Sequence, residues 1–321
     1  MYMVDFERDL REQVIVLLKR EGVKYKEKDD LRTLLIKWFT YDNKRIRPIP
    51  RQVCWSSELL GKLDAFPDSV KEAGYKLQEW IEKGIDINAF QGRGLYGNGN
   101  RDYQYMVCGI THLHLSAKKE DQFPVVKKNG FAKPGKYLLY VVVKRECIYF
   151  VDIKEHPESL DHNHVEPSWM SSELLSIIKN NWSFLLDEKE LRGIVSLCDA
   201  DGNKIQVTEK EHCELAVNAI NSPFSIDGKY YIPGLGMVGN GDSMEAVLAA
   251  QKIMNRMHKD SIFFEQHKIQ IRNQFVFNLL KRGEKKIMLS HPLDLHYQCD
   301  WESNTSMLYD KFYKVGYFFS V

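Results

Sequence analysis

GITHLHLSAKK (residues 109–119) and GKYLLYVVVKRECIYFVDIKEH (residues 135–156) decide how the rest of the chain is read. Residues 105–116, 137–143 and 147–153 are rich in β-branched and aromatic side chains. Lys144 and Arg145 sit at a turn between the second and third run, and the polar, Pro- and Gly-containing stretch 123–136 joins the first to the second. A three-stranded antiparallel meander is the simplest topology. Side chains alternate across a strand, so His112 and His114 share one face and Leu113 and Leu115 the other. On the third run Asp152, Lys154 and His156 share a face with Ile148 and Phe150, while Tyr149, Val151 and Ile153 lie opposite. Paired in a simple register, the strands place His112, His114, Asp152 and His156 on one sheet face.

Upstream, helical spacing predicts helices over residues 5–20, 30–39 and 69–83, with a further helix opened by a Ser56 or Ser57 cap. RIRPIPRQV (residues 45–53) reads as an extended, exposed linker because its two prolines stop a helix. Its arginines, with Lys44, form a basic run suited to a solvated linker or to phosphate contact. FQGRGLYGNGNRD (residues 90–102) reads as a loop over the sheet or a domain boundary, and no Gly-Lys-Ser/Thr follows it to make a P-loop.

Downstream, residues 172–182 form a short helix ending at Trp182, and LRGIVSLCDADGNKIQV (residues 191–207) is a hairpin about an Asp-Gly turn. TEKEHCELAVNAI (residues 208–220) is a capped helix, KYYI (residues 229–232) a strand, and DSMEAVLAAQKIMNRM (residues 242–257) another helix. QFVFNLLKR (residues 274–282) is helix-like, and the aromatic C-terminal stretch reads as packing. The class is therefore α+β: a helical N-terminal region (1–100), a central antiparallel sheet unit with the candidate site (101–186), and a small C-terminal α+β module with a tail (187–321).

Composition bounds the function. In 321 residues, 44% hydrophobic content suffices for a sizeable core, and a formal net charge of +1 gives no global field, so nucleic-acid binding would need a local patch. The six cysteines are scattered without a CxxC pair, which argues against a zinc ribbon or redox dithiol and for a reducing, cytoplasmic compartment. No signal peptide or membrane-spanning run is visible, and no membrane partner is expected.

Two chemistries suit the central histidines. Imidazole exchanges protons near neutrality and lysine offsets the charge of a pentacovalent phosphate, which is the equipment of a metal-independent nuclease. Alternatively, HxH on one face supplies two ligands to a divalent metal such as zinc, with Asp152 and His156 completing the set. Packing in a core or an interface is the third reading of the same residues. Gly234, Gly236 and Gly239 match GxGxxG but lack the βαβ setting of a dinucleotide site. His162, His164 and Glu166 sit in a polar stretch that reads as a solvated loop. GxSxG and HExxH are absent from the sequence.

GITHLHLSAKK, GKYLLYVVV and CIYFVDIKEH resemble the sheet of the RelE/ParE-like ribonuclease toxins of the barnase–colicin–RelE fold group, over about a quarter of the chain. The region is also similar to phage-defence-associated bacterial proteins. The resemblance implies a ribonuclease acting in a toxin or phage-defence setting, with RNA as substrate, no cofactor, and a protein partner or antitoxin. His112 or His114 would be the base, His156 the acid, and Lys118 or Lys136 the phosphate clamp, with Lys119, Arg101 and Arg145 binding substrate. Two departures stand out. Lys136 and Tyr137 lie where the family often has an arginine, and the toxins lack the long helical head and C-terminal module. A non-catalytic protein-binding adaptor is the alternative from another class.

Overall fold

The structure, a computed structural model, describes residues 4–92, 95–96, 102–115, 135–155, 172–194, 196–198, 201–281, 295–310 and 314–319. In chain order the elements are helices α1 (Phe6–Arg20) and α2 (Leu31–Lys44), strand β1 (Gln52–Trp55), and helices α3 (Ser57–Lys62), α4 (Asp68–Glu82) and α5 (Tyr103–Cys108). Strands β2 (Thr111–Leu115), β3 (Tyr137–Val143) and β4 (Cys147–Glu155) follow, then α6 (Ser172–Trp182) and α7 (Phe184–Asp187). After them come β5 (Leu197–Cys198), β6 (Lys204–Ile205), α8 (Glu209–Val217), β7 (Phe224–Ile226), β8 (Lys229–Tyr231), α9 (Met244–Lys281), β9 (Leu295–Asp300), β10 (Thr305–Asp310) and β11 (Val315–Phe319). The fold is α+β, with a helical N-terminal part, as expected. The chain forms two compact units, one of residues 1–40 with 246–321 and one of residues 41–245. Residues 100 and 186, where sequence texture changes, both lie inside the second.

The second unit is built on a four-stranded sheet of order β1-β4-β3-β2. The expected meander is its antiparallel part, β2 on β3 and β3 on β4. The added strand β1 pairs in parallel with β4, Gln52 opposite Cys147 and Trp55 opposite Phe150. The run read as an exposed linker thus ends inside the sheet, with Arg51 buried. One face of the sheet carries Leu113, Leu115, Leu139, Val141, Ile148, Phe150 and Ile153, packed with Leu59 of α3 and Val70, Leu77 and Ile81 of α4. The other carries Leu138, Tyr140, Val142, Tyr149 and Val151, packed with α5, α6 and α8. Helices on both faces explain why YLLYVVV is continuously apolar rather than alternating. Each fully buried leucine or phenylalanine contributes about 1.5–3 kcal/mol.

Two local features differ from the sequence reading. Residues 103–108 form α5, not the first half of a strand: Asp102 caps it by accepting from Tyr105 N at 3.0 Å, and Gly109 ends it at φ +69°. β4 also carries a bulge. Val141 pairs with Phe150 but Tyr140 with Asp152, so Val151 is an extra residue. Alternation resets there, and Asp152 moves from the face of Phe150 to that of Tyr149 and Tyr140. Ser56 caps α3 beside this bulge, accepting from Leu59 N at 3.0 Å and donating to the Val151 carbonyl at 2.7 Å.

Of the GxGxxG glycines, Gly234 and Gly236 serve close packing, while a Cβ on Gly239 would meet nothing within 4 Å. A Cβ on Gly234 would lie 2.2 Å from the Met106 carbonyl oxygen, because the 234–236 backbone pairs with the end of α5. KYY forms a hairpin with Phe224–Ile226 about Asp227-Gly228, both at positive φ. The Asp201-Gly202 hairpin and the capping box of α8, Thr208 with Glu211, are as expected.

In the first unit, β9, β10 and β11 form an antiparallel sheet of order β11-β10-β9 where only packing was read. Gln13 of α1 docks on β9 by accepting from Cys299 N at 3.2 Å and donating to its carbonyl at 2.6 Å. Asp9 accepts from Tyr297 N at 2.9 Å, and the Tyr297 hydroxyl donates to Asp260 of α9 at 2.7 Å. The two helical segments expected between 242 and 282 are one helix of 38 residues. No described helix is long and apolar enough to cross a membrane.

Candidate functional site

β2 projects His112 and His114 onto the same face, as its alternating burial requires, and both are half-buried. Their ring centroids are 5.7 Å apart and the planes nearly perpendicular. Strand register extends the site sideways. His112 lies opposite Tyr140 on β3, and Tyr140 opposite Asp152 on β4. A single row therefore crosses three strands. The His112 and Tyr140 rings are 6.5 Å apart. Without the bulge Asp152 would face away from this row.

Asp152 is fully buried. Its Oδ1 accepts from Lys62 Nζ at 2.5 Å and from Ile153 N at 2.8 Å, while Oδ2 has no hydrogen-bond partner among the described residues. Lys62, the last residue of α3, is placed there by the Ser56 cap that starts this short helix beside the bulge. Tyr140, also buried, has its phenol pushed up to about 12, first by burial and then by the negative charge of Asp152. It stays protonated through the neutral range, a hydrogen-bond donor beside His112.

The residue that faces both imidazoles comes from the Gly-rich loop. A methyl group on Gly92 would lie 3.8 Å from His114 Nε2 and 3.9 Å from His112 Nε2. Both Nε2 atoms thus approach one point, in front of a residue with no side chain.

The remaining sequence candidates fall elsewhere. Lys136, exposed ahead of β3, pairs with Glu155 at 2.9 Å. Lys154 is the exception: it lies on the face of Asp152, opposite Leu138, which is itself opposite His114, and it pairs with Glu173 of α6 at 2.6 Å. Arg145 lies exposed in the β3–β4 turn, at the end of the strands away from Lys136. Arg101, Lys118, Lys119 and His156 lie outside the described residues, as do His162, His164 and Glu166. Among the described residues no three His, Cys, Asp or Glu side chains group to hold a metal. Of the set expected for a divalent ion, the described residues bring His112 and His114 together, while Asp152 pairs with Lys62. Tyr140 and Lys62 carry no sequence signal toward this site, whereas Gly92 belongs to the stretch expected as a loop over the sheet. Tyr140 alternates in phase with the histidines only once the register is known. Lys62 lies 50 residues before His112 in sequence and Gly92 20 before it.

The arrangement offers two proton-exchanging rings side by side, a neutral donor and a charge-compensated carboxylate. Comparison with protein-family models, with curated proteins and with solved structures finds no match to this chain.

Proposed function

We propose that the second unit is a metal-independent ribonuclease, with His112 and His114 as its proton-transfer pair. The observation that carries this reading is the approach of both Nε2 atoms to one point beside Gly92. Cleavage of an RNA phosphodiester needs a base to take the proton of the 2′-hydroxyl as its oxygen attacks phosphorus. It also needs an acid to protonate the departing 5′ oxygen, leaving a cyclic phosphate and a free 5′-hydroxyl. Two imidazoles whose centroids are 5.7 Å apart can take these roles on one substrate, one ring neutral and one protonated. The Tyr140 hydroxyl adds a donor in the same row. A toxin or phage-defence setting follows from the resemblance of residues 109–156, and six free cysteines fit a reducing cytoplasm.

The test is cleavage of a fluorophore–quencher RNA. The His112→Ala/His114→Ala variant should lose cleavage while keeping its circular dichroism spectrum and melting temperature. A chelator should leave the parent protein active, and a 2′-deoxy residue at the cleaved position should block it. Full cleavage by the double variant would refute the proposal. The same convergence of Nε2 atoms also suits a metal held by the HxH pair. Loss of cleavage on chelation, restored by zinc, would select that alternative.

A further inference from the structure

The second feature that local packing leaves unexplained is Arg51. The residue is 9% exposed, and no carboxylate pairs with it among the described residues. Nε donates to the Lys144 carbonyl at 3.1 Å, and Nη1 to the carbonyls of Arg47 at 2.5 Å and Ile49 at 3.4 Å. Nη2 has no acceptor among the described residues. Carbonyl oxygens satisfy N–H donors without neutralising the charge, and the unpartnered Nη2 is not among the fully buried atoms, so one edge of the fork stays open to an anion. Burial and the neighbouring Arg47 both press the guanidinium pKa downward.

The surroundings add positive charge. The β3–β4 turn, closed by Lys144 N on the Cys147 carbonyl at 2.9 Å, presents Lys144, Arg145 and Glu146 to solvent. Gln52 N donates to the Glu146 carbonyl at 2.9 Å, which holds the turn against the start of β1 and hence against Arg51. Two basic segments some ninety residues apart in sequence (45–51 and 144–145) therefore meet at one end of the sheet. The acids nearby are Glu146 on the turn, Asp42, which pairs with Arg47 at 3.2 Å, and Glu245, whose carboxyl feels the charge of Lys144.

We infer that Arg51, Lys144 and Arg145 form a phosphate-binding subsite for a single-stranded polynucleotide. The planar guanidinium fork suits phosphate oxygens, and two mobile cations on a tight turn suit a backbone read by charge rather than sequence. Lys144 lies four residues along β3 from Tyr140, roughly 13 Å at about 3.3 Å per residue. An oligonucleotide of a few residues covers that span. The nature of the polymer rests on the ribonuclease reading; the cation cluster does not.

The experiment uses the full chain carrying His112→Ala/His114→Ala, so that RNA is not turned over, and a fluorescein-labelled oligouridylate followed by anisotropy across a salt series. Adding Lys144→Ala/Arg145→Ala, both at exposed turn positions, should weaken binding at least tenfold. It should also lower the slope of log K against log salt by about 1.4, since each single-strand phosphate contact contributes about 0.7. Arg51→Gln, checked for an unchanged melting temperature, should weaken binding further. Unchanged affinity and slope would overturn the subsite. Absence of binding by the histidine-only background would also overturn it, leaving the ribonuclease reading to the cleavage assay. Equal binding of polyglutamate, or displacement by inorganic phosphate as effective as by the oligonucleotide, would refute the polynucleotide assignment.

Discussion

Replacing Lys62 by methionine removes the partner of a fully buried carboxylate while keeping most of the aliphatic stem. Asp152 has no solvent exposure and its Oδ2 has no partner among the described residues, so Lys62 at 2.5 Å is its charge compensation. Breaking such a pair in a dry interior costs about 3–5 kcal/mol. The Lys62 side chain is 40% exposed, and water reaching the ammonium weakens the pair, which brings the expected loss to about 2 kcal/mol. For a unit of this size that is a fall of roughly 4–8 °C in melting temperature. Urea titration followed by tryptophan fluorescence reads the loss directly, and Asp152→Asn supplies the control. In that background no charge remains to strand, and Lys62→Met should cost less than about 0.5 kcal/mol. An equal loss in both backgrounds would show that Lys62 acts through packing alone, and the charge argument would fail.

Three other outcomes are expected. Gly84 and Gly22 each end a helix at positive φ, but a Cβ on Gly84 would meet Pro50 Cδ at 2.7 Å while one on Gly22 meets nothing within 4 Å. Gly22→Ala should therefore cost about 1–2 kcal/mol, the price of the left-handed backbone, and Gly84→Ala clearly more; equal losses by denaturant titration would contradict this. His212 is buried, stacked on Phe224 and hydrogen-bonded through Nδ1 to Ser222 Oγ at 2.6 Å, and burial depresses its pKa. The unfolded chain then binds the proton first, so this residue's contribution is complete above about pH 6.5 and is lost on acidification. His212→Asn should flatten stability between pH 7 and 5, and an unchanged slope would exclude the assignment. Cys54 and Cys147 hold their sulfurs 3.2 Å apart, with burial foremost in pushing the Cys147 thiol up to about 12. Cys147 should react slowly with Ellman's reagent while the exposed Cys198 reacts readily, and a thiol-oxidising disulfide should link Cys54 to Cys147 with loss of two hydrogens. Mass spectrometry of Cys54→Ser should show no such link.

Much of the sheet was legible because its signals are local. Val, Ile, Tyr and Leu in runs bounded by turns gave β3 and β4, and period-two alternation gave the shared face of His112 and His114. The placement of Asp152 beside them was anticipated for the wrong reason. Strict alternation sets Asp152 with Phe150, and only the Val151 bulge turns it to Tyr140, a register effect invisible in one strand alone. Tyr, Val and Cys in residues 103–108 favour strand, whereas burial of Met106, Val107 and Cys108 decides for helix. The Asp102 cap and Gly109 terminator were available signals. β1 was hidden by length and context, four residues after two prolines with a partner far along the chain. Lys62 reaches the site only through tertiary packing, which no short-range pattern encodes, whereas the glycine-rich stretch 90–102 was legible as a loop over the sheet and the structure narrows it to Gly92.

The parallel edge strand has a consequence for the order of assembly. Ser56 and Val151, which meet at the bulge, are 95 residues apart in sequence, while the turn between β3 and β4 spans only Lys144–Glu146. Closing a loop of that length carries an entropic cost before any pairing rewards it, so the β3–β4 hairpin is expected to form before β1 docks. Until then the outer edge of β4 stays unpaired and open to another chain, and Lys62 cannot reach Asp152. The buried carboxylate at the end of the histidine row therefore gains its ammonium partner only when α3 follows β1 into place.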